Sequence, residues 1–201
     1  MKKKQEYLKG KQLIKLLDEI YKFVDLNKEE ESIGAIISYL LKKTRLDLES
    51  CKKLAANIIS SLKEDRLEFG EVRNCILFRK VFKFENYHEW DKELFMAAHL
   101  FREVYTVYPM IVIVNRLTAS KIDMIANNVN KTQIRGGKNQ NPGEDEFAAL
   151  SVFETKDFSL EFAMDTEVPE NYFILVFDSD PNWDGGEPIE EPESIQKRKA
   201  A

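Results

Sequence analysis

The spacing of the apolar residues changes once along the chain, near Gly70, and that change limits the possible folds more than any other feature. Before it, Leu13, Leu16, Leu17, Ile20 and Val24 recur at intervals of three and four. Ile33, Ile36, Ile37 and Leu40 do the same, and so do Cys51, Leu54, Ala55, Ile58 and Leu62. A helix turns by about 100° per residue, so each set falls on one stripe that has to be buried against something. Three short helices in a small bundle are expected. Asn27 and Glu30 have the Asn-x-x-Glu spacing of a capping box and place a helix start there, while Thr44-Arg45-Leu46-Asp47 separates the second helix from the third.

Beyond Gly70 the pattern becomes that of strands alternating with helices. Cys75 to Phe84 (CILFRKVFKF) is rich in β-branched and aromatic residues and reads as a strand. Asp91 to Tyr105 returns to helical spacing, with Leu94, Phe95, Ala98, Phe101 and Tyr105 on one stripe and Pro109 as its stop. Met110 to Val114 (MIVIV) is apolar throughout, as in a strand covered on both faces. A helix follows Thr118 and Ser120 with Ile122, Ile125 and Val129 on one side, and residues 131–145 form a loop rich in glycine and polar residues. Three strands follow: Phe147 to Phe153, Phe158 to Met164 with alternating exposure, and Tyr172 to Phe177 as a central strand.

The fold class expected is therefore α+β. A helical segment over residues 1–70 precedes a mixed sheet of order β-α-β-α-β-β-β with two packed helices over 71–180, and an acidic tail expected to be mobile occupies 181–201. If helical crossovers return parallel and the short links at 154–157 and 165–170 are hairpins, the last strand runs parallel to MIVIV.

At 201 residues with 43% hydrophobic and 11% aromatic side chains, the chain has enough apolar surface for a core, which excludes wholesale disorder. No apolar run approaches the roughly 20 residues that span a bilayer. Charged residues interrupt the basic start before an export signal forms. Cys51 and Cys75 stand apart with no metal-ligand spacing, so a reducing, cytoplasmic setting is expected. Residues 1–70 hold 15 basic and 12 acidic residues, whereas 154–201 hold 13 acidic and 4 basic. With a net charge of -5, a nucleic-acid partner is disfavoured overall.

Four sets of residues have the chemistry of a site. Asn115, Arg116, Thr118 and Ser120 lie between a strand end and a helix start, where free N–H groups favour an anion, although Thr and Ser also cap helices for purely structural reasons. Asp178 and Asp180 would share that edge in the parallel arrangement and offer carboxylates to a hard cation. From Asp180 onward, Asn182, Asp184, Gly185 and Glu191 fit D-x-[DN]-x-[DN]-G-x5-E, which resembles an EF-hand calcium loop and would imply a divalent cation such as calcium. The match departs from that family in having a strand before it, Glu187 at its eighth position, and Pro188 and Pro192 against an exiting helix.

The second and third helices resemble a winged helix-turn-helix in outline. Lys52, Lys53, Asn57, Ser60 and Ser61 would then face nucleic acid, opposed by Glu49, Glu64 and Asp65. His88 and His99 are too far apart along a helix to share a metal, by roughly 16 Å. Arg135, Gly136, Gly137 and Lys138 fail the phosphate-loop template because Asn139 replaces Ser or Thr. No nucleophile, paired histidine or metal cluster reaches the specificity a mechanism needs, so no catalytic residue and no obligatory cofactor are expected. The reading is a non-enzymatic interaction or regulatory protein that binds another protein through its helical segment or acidic tail. The alternatives are a DNA-binding regulator and a metal-dependent enzyme acting on a phosphate-bearing substrate.

Overall fold

A computed structural model describes residues 7–69, 75–129 and 152–179. Among these, five helices and a five-stranded mixed sheet make an α+β fold. Helix α1 (Gly10–Ile20) buries Leu13, Leu17 and Ile20, α2 (Glu29–Lys43) buries Ile36 and Leu40, and α3 (Leu48–Phe69) buries Cys51, Leu54, Ala55, Ile58 and Leu62. These residues belong to the stripes that the sequence spacing predicts.

The start of α2 differs from expectation. Lys28 is its N-cap and makes no side-chain capping bond, while Asn27 donates its N–H and its side-chain amide to Asp25 Oδ1 at 2.9 and 3.1 Å. Ser32 Oγ reaches back to the same turn, accepting the Asp25 N–H at 3.0 Å and donating to its carbonyl at 2.9 Å. This Asx turn occupies the groups that a capping box would use. Glu29, Glu30 and Glu31 in the first turn and Lys42 and Lys43 in the last complement the helix dipole instead. At the next elbow, Thr44 Oγ1 donates to the Leu40 carbonyl at 2.8 Å, and Asp47 Oδ1 caps α3 by accepting the Ser50 N–H at 2.7 Å.

The strands are β1 (Leu77–Lys83), β2 (Ile111–Val114), β3 (Val152–Glu154), β4 (Ser159–Met164) and β5 (Tyr172–Asp178), in the spatial order β1-β5-β2-β4-β3. A 3-10 turn (Tyr87–Glu89) leads into α4 (Trp90–Tyr105), and α5 (Arg116–Val129) follows β2. Helix α4 ends before Pro109 is reached. Thr106 takes a left-handed conformation, φ 62°, and donates its N–H to the Arg102 carbonyl at 2.7 Å. Residues 147–151 of the expected third strand, the 131–145 loop and the 181–201 tail lie outside the described residues.

Strand direction is the main correction. β5 runs antiparallel to both β1 and β2, β4 is parallel to β2, and β3 is antiparallel to β4. A crossover gives a parallel strand only when the chain crosses to the opposite edge before it re-enters the sheet, whereas β3, antiparallel to β2, starts at the edge where β2 ends. The long stretch between α5 and β3 gives it the reach to enter at either edge. Nor is the 165–170 link a hairpin between paired neighbours: it passes over the end of β2, so that β5 pairs on the far side of β2 from β4. The 154–157 link is a hairpin as expected, with the Thr155 N–H donating to the Phe158 carbonyl at 2.9 Å.

One sheet face carries Phe78, Val112, Val114, Phe153, Leu160, Phe173, Leu175 and Phe177 into a single hydrophobic cluster with the buried residues of α1 to α4. Gly10 permits the closest approach of α1: a Cβ there would stand 3.1 Å from Met110 Sδ and 3.4 Å from the Phe177 ring. Just before it, Leu8 donates its N–H to the Thr106 carbonyl at 2.9 Å. These contacts join the helical segment to the sheet.

Candidate functional site

The four residues at the end of β2 are brought together, and Asn115 and Thr118 are engaged in the fold. Asn115 Oδ1 accepts the Leu117 N–H at 2.9 Å, and its amide donates to the Val168 carbonyl at 2.9 Å and the Thr166 carbonyl at 3.3 Å. One side chain therefore caps α5 and holds the link that crosses from β4 to β5. Thr118 is fully buried, and its Oγ1 accepts the Asn171 N–H at 3.3 Å. Arg116 is exposed and Ser120 half-buried.

Asp178 does not join them. It pairs with Leu77 beyond the start of β2, whereas Arg116 follows the end of β2, so the two leave the sheet at opposite edges. The phosphate and metal centre expected at one carboxyl edge depended on a parallel β5 and does not form. Asp178 Oδ1 instead accepts the Cys75 thiol at 3.3 Å. Asp180, Asn182, Asp184 and Glu191 lie outside the described residues, and among the described residues no group of three or more His, Cys, Asp and Glu side chains is placed to hold a metal ion.

The polar face of α3 is divided. Lys52, Lys53 and Ser60 are exposed, but Asn57 donates its amide to the Val104 carbonyl of α4 at 2.9 Å. Ser61 is buried; its Oγ accepts the Leu77 N–H at 2.9 Å and donates to the Leu77 carbonyl at 3.3 Å. Two of the five candidate nucleic-acid contacts thus fasten α3 to α4 and β1. Between α3 and β1 lies a polar cleft of about 400 Å³, lined by Asn57, Ser60, Ser61, Glu64, Arg79 and Tyr105. Tyr105 crosses it, donating its hydroxyl to the Arg79 carbonyl at 2.9 Å.

The histidines stand on different elements, His88 on the 3-10 turn and His99 within α4. His88 is exposed. His99 Nδ1 is 3.1 Å from the Tyr108 hydroxyl, which also accepts from Arg102 at 3.2 Å. The His99 Nε2 is buried without a hydrogen-bond partner among the described residues. The Phe95 ring packs against the imidazole at 4.4 Å, and the Arg102 guanidinium lies over the Tyr7 and Tyr108 rings at 5.3 and 5.4 Å. Burial raises the pKa of the Tyr108 phenol and of the Cys51 thiol, which keeps both protonated and poorly nucleophilic.

Sequence spacing misses the outer face of α4. The buried residues are Trp90, Leu94, Ala97, Ala98 and Phe101, and the expected Phe95 is partly exposed. On the other side Met96, Leu100 and Val104 repeat every four residues and are 65%, 48% and 39% exposed. The signal is present in the sequence, because α4 has more apolar residues than one buried face accommodates. Comparison with protein-family models, with curated protein sequences and with solved structures finds no match for the chain.

Proposed function

We propose that this chain is a protein-interaction module that presents the outer face of α4 to another protein. The observation that carries this reading is the Met96, Leu100, Val104 stripe. Solvent-facing helix positions are ordinarily polar, and three apolar side chains in line form the pattern by which one helix anchors in an apolar groove. Methionine at the most exposed position suits an anchor that adapts to the groove it enters. Of the other candidate residues, Asn115 and Thr118 are engaged in the fold, and Asp178 is at the opposite edge of the sheet. Residues 1–70 then act as scaffold, with α3 holding α4 through Asn57.

The test is site-specific photocrosslinking from position 100 in the full chain, with position 53 on exposed α3 as the control. A partner captured from position 100 is then purified and rebound. The Met96→Asp/Leu100→Asp chain is expected to bind it at least about tenfold more weakly while melting at the same temperature. Equal capture from the two positions, or unchanged binding by the double variant, overturns the proposal.

A further inference from the structure

We infer that the open edge of β1 is a second binding surface, one that takes an extended acidic peptide from a partner protein as an added strand. β1 is an outer strand of the sheet. Phe78, Lys80 and Phe82 direct their backbone groups toward β5, as do Ile76 and Phe84 beyond the strand ends: the Ile76 carbonyl accepts from Ser179, and the Phe84 N–H donates to Asn171. In an antiparallel ladder the alternate residues Leu77, Arg79, Val81 and Lys83 must then direct theirs outward.

Side chains of the protein close one end of this edge. Ser61 takes both backbone groups of Leu77, and Tyr105 takes the Arg79 carbonyl. The Arg79 N–H and both backbone groups of Val81 and Lys83 make no hydrogen bond to any described residue. At about 3.4 Å per residue, Arg79 to Lys83 gives roughly 14 Å of open edge between its terminal residues, enough to pair with a short strand.

The side chains along the edge define the partner. Arg79 and Lys83 stand on one face of the strand and Lys80 on the other, over the Phe82 ring, and Lys83 has only the exposed Glu85, 3.5 Å away, as an ion-pair partner among the described residues. Between Arg79 and Lys83, Val81 is 59% exposed, an apolar contact with nothing over it. Two copies pairing through this edge would set like charges against each other, which is how exposed strands resist self-association. The same charges attract an acidic strand. The matching ligand carries acidic residues at alternate positions, on the face of Arg79 and Lys83, with β-branched residues between them on the face of Phe82, and exchanges backbone hydrogen bonds with Val81. This surface is independent of the α4 stripe, so the failure of either proposal leaves the other intact.

The probe is a fluorescein-labelled octapeptide of alternating Glu and Val, titrated into the full chain at low salt and followed by anisotropy. Saturable binding is expected, with a Lys-for-Glu peptide at least tenfold weaker. Val81→Pro removes an outward N–H without breaking the β1 to β5 ladder and is expected to weaken binding at least tenfold. The same peptide N-methylated at every residue tests the backbone bonds without altering the protein, and it should not bind. No binding of the acidic peptide, or equal binding by its N-methylated form or by a folded Val81→Pro chain, overturns the inference. So does a concentration-dependent dimer that Val81→Pro abolishes, which would assign the edge to a second copy.

Discussion

The Ser179 hydroxyl accepts the main-chain N–H of Ile76 at 2.7 Å, in a place where both residues are buried. Ser179 follows the last strand and Ile76 precedes the first, so this bond closes the end of the β1 and β5 pair. The Ser179 N–H donates to the Ile76 carbonyl at 3.0 Å, and the Tyr21 hydroxyl lies 3.4 Å from Ser179 Oγ. One side chain thus ties the end of α1 to the sheet. Ser179→Ala leaves a buried N–H without an acceptor and is expected to cost about 1–3 kcal/mol in urea denaturation. Ser179→Thr, which keeps the oxygen, should recover part of that loss.

Tyr21 also gives the protein an alkaline limit. Burial is the largest influence on its phenol and raises the pKa well above the ordinary value of 10.0, with Asp18 and Asp65 pushing the same way and Ser179 opposing. Between the unfolded and folded pKa values the folded chain holds a proton that the unfolded chain has released. The stabilisation is therefore complete below about pH 10 and declines as pH rises further. Urea midpoints measured at increasing pH above 10 should fall, and the Tyr21→Phe chain should show a shallower fall. Equal slopes would mean that Tyr21 ionises in the native protein as it does in the unfolded one.

Two adjacent residues of α4 separate folding from binding. Phe101 is fully buried and in contact with Tyr105, whereas Leu100 faces outward. Phe101→Ala is expected to cost about 3–5 kcal/mol through lost burial and the cavity left behind. Leu100→Ala should change stability by no more than about 0.5 kcal/mol. Thermal and urea unfolding of the two variants measures this directly. A large loss from Leu100→Ala would show that the stripe is covered within the protein and is not open to a partner.

The helices are legible in the sequence because each divides its residues between core and solvent at a fixed angular period. Leu13, Leu17, Ile36, Leu40, Leu54 and Ile58 follow that period and are all buried. The strands are legible as elements for a related reason, yet their directions are not. Strand polarity depends on which edge the chain re-enters, and the passage over β2 is fixed by Asn115 binding the Thr166 and Val168 carbonyls some fifty residues away. No local pattern encodes that contact. A shared carboxyl edge for Arg116 and Asp178 requires a parallel β5, and the antiparallel strand separates them. The α4 stripe is readable in the sequence, since Met96, Leu100 and Val104 repeat every four residues outside the buried set. The cations of β1 were visible as well, although only the strand order shows that they stand on an edge.

Asn171 offers the most discriminating test of the turn that feeds β5. Its φ of 69° lies in the left-handed region, where a Cβ costs about 1–2 kcal/mol unless local hydrogen bonds compensate. Here they do: its carbonyl accepts the Phe84 N–H at 2.7 Å, its N–H donates to Thr118, and its side-chain oxygen accepts the Tyr87 hydroxyl. Asn171→Gly keeps the backbone bonds, relieves the conformational cost and loses only the Tyr87 contact, so a destabilisation of no more than about 1 kcal/mol is expected. Asn171→Ala loses that contact and retains the strained φ without a polar group to offset it, so it should cost about 1 kcal/mol more than the glycine variant. Adding Tyr87→Phe to each should change them little, because the hydroxyl has already lost its acceptor. If alanine proved as stable as glycine, the turn would have to relax out of the left-handed region, and the paired Phe84 and Asn171 backbone groups would separate with it.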